Sequence, residues 1–83
     1  MKLLFKDEAI KRLKRIGKAE KDKAKKKIYN LLSDPFQGKI LEGKLKGFRS
    51  VKAWPLRIVY SFDPVDQIIQ IETIDYRGSV YKN

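Results

Sequence analysis

Two short basic segments near the middle of the chain carry the side chains best suited to chemistry. Arg49 and Lys52 stand in the first segment and Arg57 in the second, and Arg77 and Tyr81 follow near the C-terminus. Guanidinium and ammonium groups stabilise negative charge on phosphate oxygens, and a phenol can orient or exchange a proton. Held on rigid strands, these five side chains would suit a reaction at a phosphate that needs no metal ion.

The absence of two residue types narrows the chemistry further. Neither histidine nor cysteine occurs among the 83 residues. This excludes Ser-His and Cys-His nucleophiles, disulfides and most zinc or transition-metal sites. Asp63 with Asp66, and Glu72 with Asp75, resemble Mg²⁺ ligands, but the first pair lies in a predicted turn that favours Asp, and the second lacks further oxygen donors. We therefore expect no metal and no cofactor.

The charge balance predicts a polyanionic partner. Twenty Lys and Arg residues face ten Asp and Glu residues, which gives a net charge of +10. The excess is +8 over residues 1–33 and +4 over residues 34–60, whereas residues 61–83 carry −2.

The length predicts a single domain over residues 1–83. Because no apolar run approaches the ~20 residues of a membrane span, we expect a cytoplasmic protein with no membrane partner.

Basic and aromatic residues outside the two basic segments are candidates for RNA contact. They are Lys18, Lys21, Lys25, Lys26, Lys46 and Trp54. A lysine-rich helix face is also typical of a surface that is simply solvated, and Trp54 is equally suited to burial or to contact with a protein partner.

The first half of the chain predicts a short strand and two helices. Leu3-Leu4-Phe5 forms the strand, and Asp7 is the expected N-cap of a helix that Gly17 ends. A second helix runs from about Glu20 to Leu32 on the spacing of its apolar residues, and Asp34-Pro35 ends it. The short connection predicts an antiparallel helix pair.

From Lys39 the apolar residues alternate, which predicts strands. Even-numbered residues from Leu56 to Phe62 should pack, while the odd-numbered ones, Arg57 first, should be presented on the other face. Trp54-Pro55 is the expected turn before this strand, and residues 63–66 form the turn before a last strand, residues 68–74. Together the elements predict an α+β fold, with the helix pair packed on a small twisted antiparallel sheet.

The ordered elements and several short motifs resemble the RelE/ParE superfamily of type II toxins, in particular its RelE-like, RNA-cleaving branch. The motifs are Asp34-Pro35, residues 45–50, residues 56–60, Tyr76-Arg77 and Val80-Tyr81. The resemblance implies a metal-independent endonuclease that enters the ribosome and cuts mRNA by attack of a ribose 2′-hydroxyl on the adjacent phosphate.

The same resemblance assigns roles to the candidate residues. Arg57 would bind the phosphate, and Arg77 would stabilise charge near the leaving oxygen. Tyr81 would stack on a base, orient the 2′-hydroxyl or accept its proton. Arg49 and Lys52 would bind phosphate or abstract the proton. From the residues alone, Arg57 could instead pair with an acidic residue of the last strand.

The resemblance also implies an acidic, RelB-like antitoxin as partner, together with the ribosome and mRNA. The toxin would be a monomer when free and part of a hetero-oligomer when bound to the antitoxin. Two alternatives are a ParE-like inhibitor of DNA gyrase with the same fold, and a basic RNA-binding module without catalysis.

Overall fold

Five strands and two helices make up residues 1–76, the part of the chain that the computed structural model describes. The elements in chain order are β1 Lys2–Phe5, α1 Asp7–Arg15, α2 Lys18–Ser33, β2 Lys39–Ile40, β3 Arg49–Ala53, β4 Leu56–Asp63 and β5 Ile68–Tyr76. A 3-10 turn, Gly43–Leu45, lies between β2 and β3. The α+β fold predicted from the sequence is confirmed.

The strands form one sheet in the order β1-β5-β4-β3-β2. The neighbours from β5 to β2 are antiparallel, as predicted, but β1 runs parallel to β5, with Leu3 opposite Ile69. Parallel neighbours cannot be joined by a tight turn, so almost the whole chain forms the connection between them. The sheet is therefore mixed at one edge, a feature that local alternation does not reveal.

The two helices cover one face of the sheet. α2 buries Ala24, Ile28 and Leu31 against the apolar residues of the strands, and α1 buries Ala9. The three α2 residues have the apolar spacing from which the sequence predicts that helix. The expected N-cap is one residue off, because Asp7 is the first helical residue and Lys6 precedes it without a side-chain cap. Neither helix of residues 1–76 is long and apolar enough to cross a membrane.

The central strand β4 is buried on both faces, which corrects the prediction for Arg57. Ile58 and Tyr60 belong to the core under the helices, as expected. On the opposite face, Val59 is 1% exposed and Arg57 only 7% exposed. Because β4 lies between β3 and β5, the arginine is enclosed by its neighbours and is not presented on an open surface.

Candidate phosphate-binding site

Arg57 and Lys52 lie side by side because a short turn at Trp54-Pro55 joins β3 to β4. The strand register places the two residues directly opposite each other. Side chains at such positions share a face of the sheet, with Cβ atoms about 5 Å apart. Lys52 is exposed whereas Arg57 is buried. The pair therefore combines an accessible ammonium with a guanidinium that the sheet holds in place.

This pair lines a concave region that we call the cationic cleft. Its helix side has a volume of about 280 Å³ and is lined by Lys27, Gln37, Lys39, Ser50, Val51, Lys52 and Arg57. Its strand side shares Lys39, Lys52 and Arg57 and adds Ile40, Leu41 and Glu42. Within the part of the chain that the structure describes, the helix side thus has four cationic residues and no carboxylate. Such a surface attracts anions, most strongly those with several charges.

The loop after α2 carries Lys39 to the cleft, and Tyr60 fixes that loop. The backbone N–H of Gly38 donates to Tyr60 Oη at 2.9 Å, and the same hydroxyl donates to the carbonyl oxygen of Pro35 at 2.7 Å. The Tyr60 side chain is fully buried. A Cβ atom at Gly38 would lie 2.5 Å from Tyr60 Oη, so the close approach requires glycine. The hydrogen bonds of the buried phenol therefore fix the position of the loop. They also fix the position of Lys39, which follows Gly38 and is the first residue of β2.

Arg49 supports the same loop from the helix-covered face of the sheet. It lies opposite Tyr60 in the register. Its Nη1 donates to the carbonyl oxygens of Phe36 at 3.2 Å and Gly38 at 2.9 Å, and the guanidinium lies 5.1 Å from the centre of the Phe36 ring. Lys52 is three positions further along β3 and hence faces the other way. Arg49 therefore lies on the opposite face of the sheet from Lys52 and Arg57, and its guanidinium is hydrogen-bonded to the loop.

The acidic residues of β5 contact cations of the N-terminal segment. Asp75 lies opposite Arg57 in the register, and its carboxylate is 2.9 Å from Arg12 Nη1. Glu72 lies 3.1 Å from Lys6 Nζ. The carboxylate of Asp63 accepts from the backbone N–H groups that follow it in the turn. Among residues 1–76, no three carboxylates converge as a metal site would require.

A family model described as the ParE toxin of the type II toxin-antitoxin system parDE matches residues 3–81. The chain belongs to this toxin family. It is a toxin of a type II toxin-antitoxin system of the RelE/ParE superfamily, which confirms the resemblance seen in the sequence. No curated protein matches it.

Solved structures of related toxins share the fold. The RelBE2 toxin-antitoxin complex from Mycobacterium tuberculosis has a chain that is 22% identical, with a TM-score of 0.84 over 92% of this toxin and 96% of that chain. The intact Escherichia coli RelBE complex gives 18% identity and a TM-score of 0.77 over 90% and 94% of the two chains. The YoeB/ParE toxin from Agrobacterium tumefaciens is 21% identical, with a TM-score of 0.81 over 93% of this toxin and 99% of that chain. At these identities the likeness concerns the fold alone.

Apart from Lys52, the lysines of the toxin that line the cleft are not those that the sequence singled out. Lys25 lines a different groove, with apolar residues of β1 and α1. Lys18 and Lys21 precede it at helical spacing and lie on the same side of α2, and Lys26 is exposed. Lys27 is turned about 200° from Lys25 and reaches the cleft instead.

Two other predicted contacts lie in turns. Lys46 follows the 3-10 turn and is exposed, and Trp54 is 63% exposed between β3 and β4. Both lie outside the residues that line the two sides of the cleft. The sequence pattern does not indicate Lys39, because its strand has only two residues, too few for an alternating pattern. Arg77 and Tyr81 of the predicted catalytic group lie outside the described residues.

The buried phenol of Tyr60 should make stability depend on alkaline pH. Burial raises the pKa of Tyr60 above its ordinary value, and the hydrogen bond from the Gly38 N–H acts in the opposite direction. As pH rises, the unfolded chain loses this proton first, from about pH 10. The stabilisation is therefore complete below that pH and is lost as pH rises toward the folded-state pKa.

Tyr60→Phe lacks this ionisation. The difference in free energy of unfolding between wild type and Tyr60→Phe, measured in urea, should shrink between about pH 9 and about pH 11. A difference that stays constant over this range would contradict the assignment.

Proposed function

We propose that the toxin is a ribosome-dependent endonuclease that cuts mRNA in the cytoplasm without a metal ion. The observation that carries this proposal is the cationic cleft, in which buried Arg57 and exposed Lys52 are cross-strand neighbours and Lys39 and Lys27 complete the wall. A nuclease needs to bind the phosphate and to stabilise the charge that develops on its oxygens. The solved structures of RelE toxins share this fold.

The reaction is an in-line displacement within the RNA strand. The 2′-hydroxyl gives up its proton to a base, and its oxygen bonds to the neighbouring phosphorus. The bond from phosphorus to the 5′-oxygen breaks, and that oxygen takes up a proton. The products carry a 2′,3′-cyclic phosphate and a 5′-hydroxyl. Charge builds up on the non-bridging oxygens in the transition state, and preorganised donors at that position lower the barrier.

The proposed roles follow from chemistry and placement. Arg57 offers a planar, permanently charged fork to two phosphate oxygens, and burial keeps it oriented. Lys52 adds an accessible ammonium beside it. By resemblance, Arg77 stabilises the leaving oxygen, and Tyr81 orients the 2′-hydroxyl or the adjacent base. The ribosome holds the message in the in-line geometry, so the toxin needs only a small surface to act on the phosphate.

The proposed partner that silences the toxin is an acidic antitoxin. The solved structures of the M. tuberculosis, E. coli and Pyrococcus horikoshii relatives are toxin-antitoxin complexes. The net charge of +10 favours an acidic chain. A groove lined by Leu3, Phe5, Leu13, Lys25, Ile28 and Tyr29 offers apolar contacts to an amphipathic helix of that chain. The complex is a hetero-oligomer, and the free toxin is a monomer.

Inhibition of DNA gyrase is the second candidate function, since the matching family model is that of ParE toxins. A ParE-like toxin would act by binding gyrase and would leave RNA intact. The two functions are separated by running two assays on the same purified toxin. One is primer extension on a defined message in a purified translation system, and the other is supercoiling of relaxed plasmid by gyrase.

We expect cuts within the translated region of the message that vanish when ribosomes are omitted, and unchanged supercoiling. Blocked supercoiling with an intact message would contradict the proposal and support the ParE-like function. RNA binding without cuts, even in the presence of translating ribosomes, would also contradict it and indicate a non-catalytic RNA-binding module.

A further inference from the structure

Lys27 differs from the other lysines of its helix in where it lies. Lys25 and Lys26 are exposed, whereas Lys27 is half-buried and reaches the cleft that Arg57 and Lys52 line. It is positioned by α2, whose next residue, Ile28, is 2% exposed in the core. An ammonium group next to such an anchored turn is confined to a smaller region than one on a fully solvated face.

Lys39 lines the same side of the cleft as Lys27 but belongs to β2. It pairs with Ser50 across β2 and β3, and its loop is fixed by the hydrogen bonds of Gly38 with Tyr60 and Arg49. Lys39 lines both sides of the cleft, but Lys27 lines only the helix side. The helix side therefore has Lys27 in addition to Lys39, Lys52 and Arg57, the three cations that it shares with the strand side.

The two sides of the cleft differ in chemistry. The strand side includes the carboxylate of Glu42 and the exposed apolar side chain of Ile40. A carboxylate repels phosphate, so a second phosphate is disfavoured there. The helix side, within residues 1–76, has no such group. A polyanion with one phosphate at Arg57 is thus guided to the helix side.

We propose that Lys27 and Lys39 form a second phosphate subsite, adjacent to the one at Arg57 and Lys52, which binds the next phosphate of a single-stranded RNA. This subsite fixes the direction in which the RNA backbone crosses the toxin, from the sheet toward α2. The proposal rests on the proposed function, because it assumes that the substrate is RNA.

The test compares ligands that differ by one phosphate. The probes are a 2′-deoxy dinucleotide with its single internal phosphate and two derivatives with an added 5′- or 3′-phosphate, none of which can be cut by 2′-hydroxyl attack. Binding to the free toxin is followed by chemical-shift titration at several salt concentrations. In wild type, one of the two added phosphates should raise the affinity of the dinucleotide for the toxin by roughly 10-fold. It should also steepen the slope of the logarithm of the binding constant against the logarithm of the salt concentration by about 0.7.

Lys27→Gln should lose most of this gain, measured as the ratio of its affinities for the dinucleotides with two phosphates and with one. Lys39→Gln should weaken both ligands, since Lys39 borders both subsites. The matched control is Lys23→Gln, which removes the same charge from an exposed residue of α2 one turn earlier and outside the cleft. It should keep the full gain.

Three results would overturn the subsite: no gain from either added phosphate, an equal gain in Lys27→Gln and wild type, or an equal loss in Lys23→Gln. The last of these would indicate a general effect of charge. The outcome is independent of cleavage, because the probes are uncleavable and no ribosome is present. A toxin that cuts translated mRNA but shows no coupling between Lys27 and the added phosphate would refute the subsite alone. A toxin that fails to cut would refute the proposed function.

Discussion

Replacing Arg57 with lysine should slow cleavage of mRNA on the ribosome by about 100-fold, the usual effect of losing one preorganised donor to a developing oxyanion. Lysine retains the positive charge but cannot make two parallel hydrogen bonds to a phosphate. Because the arginine is 7% exposed, its orientation is set by β3 and β5, and a lysine would not reproduce it. The measurement is the single-turnover rate on ribosomes programmed with one message.

Arg15→Lys is the matched control, since Arg15 is exposed at the end of α1 and is not among the residues that line the cleft. Arg15→Lys should cut at the wild-type rate.

Lys52→Gln should slow cleavage by about 10-fold. It alters an exposed side chain opposite Arg57, which leaves folding intact. Thermal unfolding of each variant separates lost chemistry from lost structure. Wild-type rates in both Arg57→Lys and Lys52→Gln would show that the cleft is not the reactive site.

Gly38→Ala should destabilise the toxin by about 3 kcal/mol, which for a chain of this size lowers the melting temperature by more than roughly 10 °C. The added methyl group would lie 2.5 Å from Tyr60 Oη and 2.7 Å from Cε1. The phenol ring cannot withdraw, because it is fully buried and its hydroxyl is hydrogen-bonded to Pro35. Either the loop moves away or the core is disrupted, and both outcomes displace Lys39.

Gly17→Ala provides the comparison. Its Cβ would meet only Glu20 Oε1, at 3.5 Å, which is an ordinary contact, and the backbone at Gly17 has a φ of −67°. We expect little change in stability. A Gly38→Ala variant as stable as Gly17→Ala would contradict the close approach of Gly38 to Tyr60.

A double-mutant cycle adds a second check on the same contact. Tyr60→Phe alone should cost about 1–3 kcal/mol, since it leaves the Gly38 N–H and the Pro35 carbonyl without their partner. In combination with Gly38→Ala, the loss should be smaller than the sum of the two, because the atom nearest to the new methyl group is gone. Additive losses would mean that the two residues do not interact.

Local sequence patterns were sufficient to identify most elements and one part of the site. Period-2 alternation and the turn at Trp54-Pro55 together place Lys52 opposite Arg57. The same alternation also separates Arg49 from Lys52. Arg49 and Lys52 are an odd number of residues apart on one strand, so they cannot share a face.

Other features depend on contacts between distant segments and are not visible in any local pattern. The burial of Arg57 follows from the position of β4 in the middle of the sheet, which is a property of strand order. Lys27 and Lys39 meet the strand residues only through the packing of α2 and the loop that Tyr60 anchors. The parallel pairing of β1 depends on a strand that begins more than sixty residues later.

That late pairing has a consequence for synthesis of the toxin. β1 is translated first, but its neighbour β5 begins at Ile68, and α1 also packs on β5. At ordinary elongation rates of about 5–20 residues per second, the N-terminal strand waits for seconds before its hydrogen-bonding partner leaves the exit tunnel. The nascent chain therefore cannot complete its sheet until β5 has been synthesised and has left the tunnel.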